Sequence, residues 1–243
     1  DSDKKRNRGD FAVWKFSKDN DPSWPAPFGA GRPGWHIEDT AITEKYFGPQ
    51  YDIHGGGQDL IFPHHEAEIA QQESASGKKP FVKYWMHNGF LINKGEKMSK
   101  SIGNFDTVNE LLKIKGKEIL RFYLLSGHYR TPLDYSEESL SLSEAGIENF
   151  KLVLTHLEQI KIEGRLETIE NPMLTKQLDE YFKNILLSMD NDFNTQEAFG
   201  ILRGLISYTY QNLKNFDLGA YEKFMSIIKF FDIEPYRKEV TES

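Results

Sequence analysis

The chain has 243 residues, 38% of them hydrophobic and 28% charged, with a formal net charge of −7 and no cysteine. That is the balance of a globular protein with room for one large or two ordinary domains. It excludes a disulfide framework and a thiolate metal site within the chain, and no apolar run approaches the roughly 18 residues that suggest a membrane span.

No apolar segment of signal-peptide type stands behind DSDKKR, and a cytoplasmic enzyme is compatible with this without being proven by it. A nucleic-acid partner would have to be met by a local basic patch, or by shape and a few phosphate contacts, because the chain as a whole is acidic.

Residues 1–105 are rich in Gly, Pro, Trp and His, and short apolar stretches alternate with turn signals. They predict a small α/β piece. In GRPGWHIE, Trp35 and His36 sit directly behind a Pro-Gly turn. An exposed Trp there can floor a small pocket, although a buried core Trp is at least as common. YDIHGG predicts a short strand ending in a glycine turn. Gly55, Gly56 and Gly57 could let the backbone approach an anion or nucleotide, with Asp59 accepting from a ribose hydroxyl; the alternative is a tight turn with an N-cap aspartate.

In IFPHHEAEIAQQE, Pro63 favours a helix start just behind it. His64 and Glu68, four apart, then share a face and offer two partial zinc ligands, while His65 and Glu66 point elsewhere. An ordinary solvated His–Glu pair is the alternative. FVKYWMHNGFLI predicts one or two further strands. NKGEKMSKSIGN sets Lys94, Lys97 and Lys100 among glycines and serines. Such a loop could close over polyphosphate, or simply be a basic surface loop.

From Asp106 the pattern turns helical. DTVNELLKIKGKEILRFYLL has apolar residues at three and four spacing, a capping box in Thr107 and Glu110, and a break at Gly116. HYRTPLDYS is expected to be an irregular connector. Helix is predicted from Glu137 to Ile160, with KIEGRLETIENP as a loop. Leu174 to Leu187 and Ala220 to Phe231 are further predicted helices. Another follows Asn194, where Glu197 suggests a second capping box and Phe193 an anchor for the preceding turn.

KMSKS at 97–101 resembles the second signature of class I aminoacyl-tRNA synthetases. GRPGWHIE, DIHGGGQDLIFPHHEAEIAQ, YWMHNGFL, KMSKSIGNF, LRFYLLSGHYRTPLDYS, MDNDFNTQEA and the upstream KKRNRGDFAVWK together resemble the cysteinyl-tRNA synthetases. The resemblance implies a fold: the second half of a Rossmann-like nucleotide-binding domain over 1–105, a stem-contact-like connector over 106–136 and an all-α tRNA-binding bundle over 137–243.

It also implies an activity. Cysteine is activated with ATP, accompanied by Mg2+, to cysteinyl-adenylate and then passed to the 3′-terminal adenosine of tRNA(Cys). Zinc on His64 and Glu68 would bind the cysteine thiolate and help reject serine. Trp35 and His54 would line the amino-acid pocket, Gly56 and Asp59 the adenosine side, and Lys97, Met98 and Lys100 the mobile loop at the ATP phosphates. Whether the protein is a monomer or a homodimer is left open by the sequence.

Two departures stand out. The family's cysteine ligand directly after GWHIE is here Asp39, an oxygen ligand that hardens the zinc site. The HIGH-type signature and the other cysteine ligand are not among these residues, so the chain is expected to be part of a longer protein and inactive alone. A non-catalytic tRNA-binding module and a ligase that joins cysteine to a small amine are the alternatives. The KMSKS, HGGG and His64/Glu68 features favour the tRNA enzyme over the first, and the long helical region over the second.

Overall fold

The computed structural model describes residues 5–93, 96–98 and 106–233. They form two units, divided after Gly89.

The first unit is α/β. Strand β1 (Trp14–Phe16) pairs antiparallel with β2 (Gly31–Pro33), Trp14 opposite Pro33. Gly34, just behind β2, donates its N–H to the Val13 carbonyl at 2.9 Å. A Cβ on Gly34 would lie 1.9 Å from the Ala12 carbonyl oxygen, so only glycine permits this approach. Helix α1 (His36–Phe47) starts immediately behind Trp35 and stops at Gly48, whose φ of 83° a side chain would disfavour.

Strand β3 (Tyr51–Gly57) lies parallel to β4 (Val82–Asn88), from Tyr51 opposite Val82 to Gly57 opposite Asn88. Parallel neighbours need a crossover, and helix α2 (Glu66–Ser76) supplies it. The expected glycine turn after His54 is therefore corrected. Gly55, Gly56 and Gly57 are ladder residues opposite Met86, His87 and Asn88, and none has a left-handed φ. The chain turns later, through a tight helical turn at Gln58–Leu60 and a wider one at Ile61–His65, broken at Phe62 (φ −136°, ψ 132°). Regular helix begins two residues behind Pro63–His64, close to where the proline placed it.

The second unit begins with β5 (Leu91–Asn93), antiparallel to β6 (Glu96–Lys97) and parallel to β7 (Leu133–Asp134). HYRTPLDYS is thus not wholly irregular: its LD pair is a strand too short to show a period. Helices α3 (Val108–Lys115) and α4 (Lys117–Leu125) are separated by Gly116 at φ 84°. The capping box at the start of α3 is present. Thr107 Oγ1 accepts from the Glu110 N–H at 3.3 Å, and Glu110 accepts from the Thr107 N–H at 2.8 Å.

The remaining helices are α5 (Glu137–Ile162), α6 (Pro172–Asp190), α7 (Thr195–Asn212) and α8 (Leu218–Phe231). Their apolar stripes close on one core, in which Ile147, Leu157, Leu178, Ile185, Leu202 and Phe224 are fully buried. Each such side chain contributes about 1.5–3 kcal/mol of burial. A smaller cluster of Leu120, Tyr123, Tyr135 and Leu140 takes up Met98.

Three helix-end expectations change. Helix α5 continues into KIEGRLETIENP as far as Ile162. Asn194 does cap α7, accepting from the Glu197 N–H at 3.1 Å, but its own N–H goes to the Ser188 carbonyl, so the box is not reciprocal. Phe193 is at φ 52° with its side chain half exposed, and it holds the turn only through its backbone, donating its N–H to the Met189 carbonyl at 3.0 Å. Asp192 holds the turn with its side chain, accepting from Tyr129 Oη at 2.7 Å and from Arg130 Nε and an Arg130 terminal nitrogen at 2.5 and 3.0 Å.

Candidate functional site

Five of the chain's seven histidines lie between 36 and 87, and the first unit gathers all five. Strand β3 delivers His54, the wide turn before α2 delivers His64 and His65, β4 delivers His87 and the start of α1 delivers His36. Glu68, one turn into α2, is completely buried among them.

Two donor groups share that glutamate. In the first, His64 Nε2 lies 2.8 Å from both Asp39 Oδ2 and Glu68 Oε1. In the second, His54 Nε2 lies 3.7 Å from Glu68 Oε2, with His65 beside it. Within each group the donor atoms lie within 4.8 Å of one another. His65 therefore does not point away from the cluster, as the helix spacing suggested. The turn at Ile61–His65 is wider than an α-turn, and it buries both neighbouring imidazoles. Glu66 is exposed, as expected.

The electrostatics suit a cation. Burial, reinforced by the Asp39 carboxylate, pushes Glu68 up to about 7. Burial pulls His65 down to about 4, helped by His54, His87 and His64, and it lowers His54 and His36 as well. Those three imidazoles are therefore neutral near pH 7 and keep a lone pair.

Both Glu68 oxygens are buried without a hydrogen bond, although His64 Nε2 is 2.8 Å away. A cation among these donors would satisfy the buried oxygens. His64 Nδ1 lies 2.6 Å from His36 Nδ1. If His64 donates there, its Nε2 is a free lone pair, the arrangement usual for an imidazole that holds a metal. One nitrogen and two oxygens at this spacing fit a divalent ion such as zinc.

Trp35 stacks on His64 at a centroid separation of 4.6 Å and is 56% exposed, so it forms an open wall beside the donor set. Tyr51 Oη hydrogen-bonds His54 Nδ1, and Trp85 stacks on His54 at 4.8 Å. Burial drives Tyr51 up to about 12, which keeps its hydroxyl protonated.

A Cβ on Gly56 would lie 2.8 Å from His65 Cε1. Asp59 is exposed on the tight turn behind β3. In the second unit, the Lys97 backbone pairs with Ile92. Met98 donates its N–H to the Leu91 carbonyl at 3.0 Å and packs on the Leu120 cluster. Lys100 lies outside the described residues. Sequence spacing points to His64 and Glu68, and the GRPGWHIE turn to His36 beside Trp35, but neither points to His65, His87 or Trp85; the crowding of histidines between 36 and 87 is the signal that could have found the two histidines.

Residues 1–145 match the family model of the tRNA synthetases class I (C) catalytic domain. The chain is 48% identical to a cysteine–tRNA ligase of Geobacter metallireducens over 206 residues, which is 84% of this chain and 42% of that protein. It is 45% identical to a cysteine–tRNA ligase of Geobacter sp. (strain M21) over 223 residues, or 91% of this chain and 46% of that one. The chain thus spans less than half the length of these relatives. In fold it is similar to the LeuRS of Agrobacterium radiobacter K84, solved in a ternary complex with tRNA and LeuAMS. There the TM-score is 0.66 at 14% identity, covering 88% of this chain and 32% of that one. No helix among the described residues is long and apolar enough to cross a membrane.

Proposed function

Since the chain belongs to the family of class I (C) tRNA synthetase catalytic domains, we propose that it is part of a cytoplasmic enzyme that ligates L-cysteine to tRNA(Cys) with ATP. The observation that carries the choice of cysteine is the Asp39–His64–Glu68 donor set beside the open face of Trp35. A site built to grip a thiol needs a soft-accepting centre, because cysteine and serine differ by one atom and pocket shape alone discriminates weakly.

In this reading Asp39, His64 and Glu68 hold a zinc ion. Bound there, zinc supplies a Lewis-acidic contact for the substrate's sulfur. Trp35 and His54 wall the amino-acid pocket, and His36 fixes the tautomer of His64 through their 2.6 Å contact. A carboxylate oxygen of cysteine attacks the α-phosphorus of Mg–ATP, pyrophosphate leaves, and Lys97 and Lys100 offset the charge that develops on the phosphates. Met98 carries the loop, and Gly56 and Asp59 lie on the adenosine side. The 3′-terminal ribose hydroxyl then attacks the activated carbonyl and AMP leaves. Residues 1–105 serve as the catalytic piece, 106–136 as a connector, and 137–243 as the tRNA-binding bundle, a role the continuous α5–α8 core is able to support.

Pyrophosphate exchange by the complete protein that carries this chain tests the proposal. Exchange that depends on cysteine, ignores serine and slows at least about tenfold in Lys97→Ala or Lys100→Ala, with cysteine affinity little changed, is expected. Absence of cysteine-dependent exchange would overturn the proposal.

A further inference from the structure

The chain is acidic overall, yet four of residues 4–8 are Lys or Arg. That basic stretch meets the pocket just described. Lys5, Arg8 and Lys15 line a cleft of about 430 Å³, together with Phe11, Trp35, His36 and Phe62. We infer that this cleft holds the phosphates and a base of the single-stranded 3′ end of the acceptor RNA. The inference rests on the function proposed above and specifies where the RNA end lies.

Three observations support it. First, the positive charge is available. None of Lys5, Arg8 and Lys15 forms a close ion pair with a carboxylate among the described residues, although the Lys5 charge helps to lower the pKa of Asp10. The one acid of the cleft, Asp10, spends its oxygens in its own turn, accepting from the N–H groups of Arg6 and Asn7 at 3.0 Å each and from Asn7 Nδ2 at 3.4 Å.

Second, the cleft is aromatic as well as cationic. Phe62 is 65% exposed, at the break where the backbone leaves helical geometry. Cations that follow a backbone, with aromatic faces for the bases, are the physical signature of single-stranded nucleic-acid binding, in which each stacked base is worth about 1–3 kcal/mol. The phosphates of a free triphosphate would use the cations but have no need of the two exposed rings, Trp35 and Phe62.

Third, the position is right. The segment that carries the cations is tied to the pocket by the Gly34–Val13 hydrogen bond and by the edge of Phe11 on His36 at 5.7 Å. Trp35 borders the cleft and also stacks on His64. A terminal hydroxyl delivered to a carboxyl group at the Asp39–His64–Glu68 set must be followed by a phosphate passing close to Trp35.

Binding of tRNA to the complete protein, measured against salt, tests this. On a single strand each phosphate contact contributes a slope of about −0.7 in log affinity against log salt. The Lys5→Ala/Arg8→Ala/Lys15→Ala variant is expected to flatten the slope by about 2 and to weaken binding about tenfold or more. Trimming the unpaired 3′ nucleotides from the tRNA should have the same effect on wild type and no further effect on the variant. Phe62→Ala should weaken binding and Phe62→Tyr restore it. Because Lys15 sits on β1, Lys5→Ala/Arg8→Ala provides a second test with about two-thirds of the effect.

Wild-type exchange rates and an unchanged KM for ATP are expected throughout. A raised KM for ATP with normal tRNA binding would assign the cleft to the triphosphate. Equal losses with trimmed and intact tRNA would assign the cations to another part of the RNA. No change in any measurement would leave a solvated patch. Each of these outcomes overturns the inference. Absence of cysteine-dependent exchange in wild type, with binding as expected, would instead overturn only the proposed chemistry.

Discussion

Gly56 tests whether the glycine run serves packing. It lies in β3 opposite His87 with an ordinary extended backbone, so an alanine there meets no conformational penalty. Its space is another matter. A Cβ would lie 2.8 and 3.1 Å from His65 Cε1 and Nε2, and 3.1 Å from Leu60 Cδ1. His65 is buried and held to His87 by a 2.7 Å contact, so it cannot swing into solvent. Overpacking of this kind costs about 1–3 kcal/mol, against about 0.5–1 kcal/mol that alanine recovers over glycine in a strand. The net expectation is a loss of roughly 1–2 kcal/mol. At about 2–4 °C per kcal/mol for a chain of this size, the melting temperature should fall by about 2–8 °C. Gly55→Ala is the matched control, because its nearest neighbour is the Met86 carbonyl oxygen at 3.5 Å, an ordinary contact. Thermal unfolding of both variants by circular dichroism decides the matter. If Gly56→Ala melts with Gly55→Ala at or above wild type, steric exclusion by His65 is not why the position is glycine.

The donor set predicts that the complete protein, purified without chelator, carries close to one equivalent of zinc. Glu68→Gln, which keeps the shape and removes the charge, should weaken zinc by at least about tenfold in competition with a chromophoric chelator. Asp39→Cys, which supplies a softer ligand, should tighten it; unchanged affinity in both would remove these residues from the metal. In the second unit, Arg130 and Tyr129 hold the Asp192 carboxyl down at about 2, below its ordinary value of 3.8. A lowered carboxyl contributes stability above its unfolded value and loses it as pH falls through the folded one. Hydrogen exchange across 190–195 should therefore accelerate between pH 4 and pH 2 relative to intrinsic rates in wild type but not in Asp192→Asn, and parallel behaviour of the two would refute the assignment.

How far the fold could be read follows from how local its causes are. The Thr107–Glu110 box and the Gly116 break are written within a few residues, so spacing alone placed them. The bundle helices show their buried stripes because a long helix repeats its pattern many times. Helix α1 shows no such stripe. Thr40 is its only buried residue, and Ile42, Tyr46 and Phe47 are all exposed. No periodicity in its sequence marks it. Its start is set by the close pass of Gly34 beneath Ala12, a tertiary contact. Strand β7 has two residues and exists only because Phe90 and Ile92 offer carbonyls to the Leu133 and Tyr135 N–H groups. The glycine run lies in a strand for a related reason. Glycine is permitted everywhere, so the partner strand decided its conformation.

The site divides along the same line. His64 and Glu68 share a helix face, and four-residue spacing is enough to show it. Asp39 comes from another helix, and nothing in the spacing of 39 to 64 brings the two together; only the resemblance of GWHIED to a ligand-bearing segment did. What neither route supplied is the sharing of Glu68. A buried carboxylate with a raised pKa is costly unless something positive pairs with it. The nearest ring nitrogens belong to His64 and His54, and burial holds His54 neutral. One cation between Asp39, His64 and Glu68 would satisfy the buried oxygens and offset two carboxylates together. A proton on Glu68 could be shared with His64 Nε2 at 2.8 Å, but it would leave the Asp39 carboxylate uncompensated. Asp39, His64 and Glu68 could therefore hold a metal ion together.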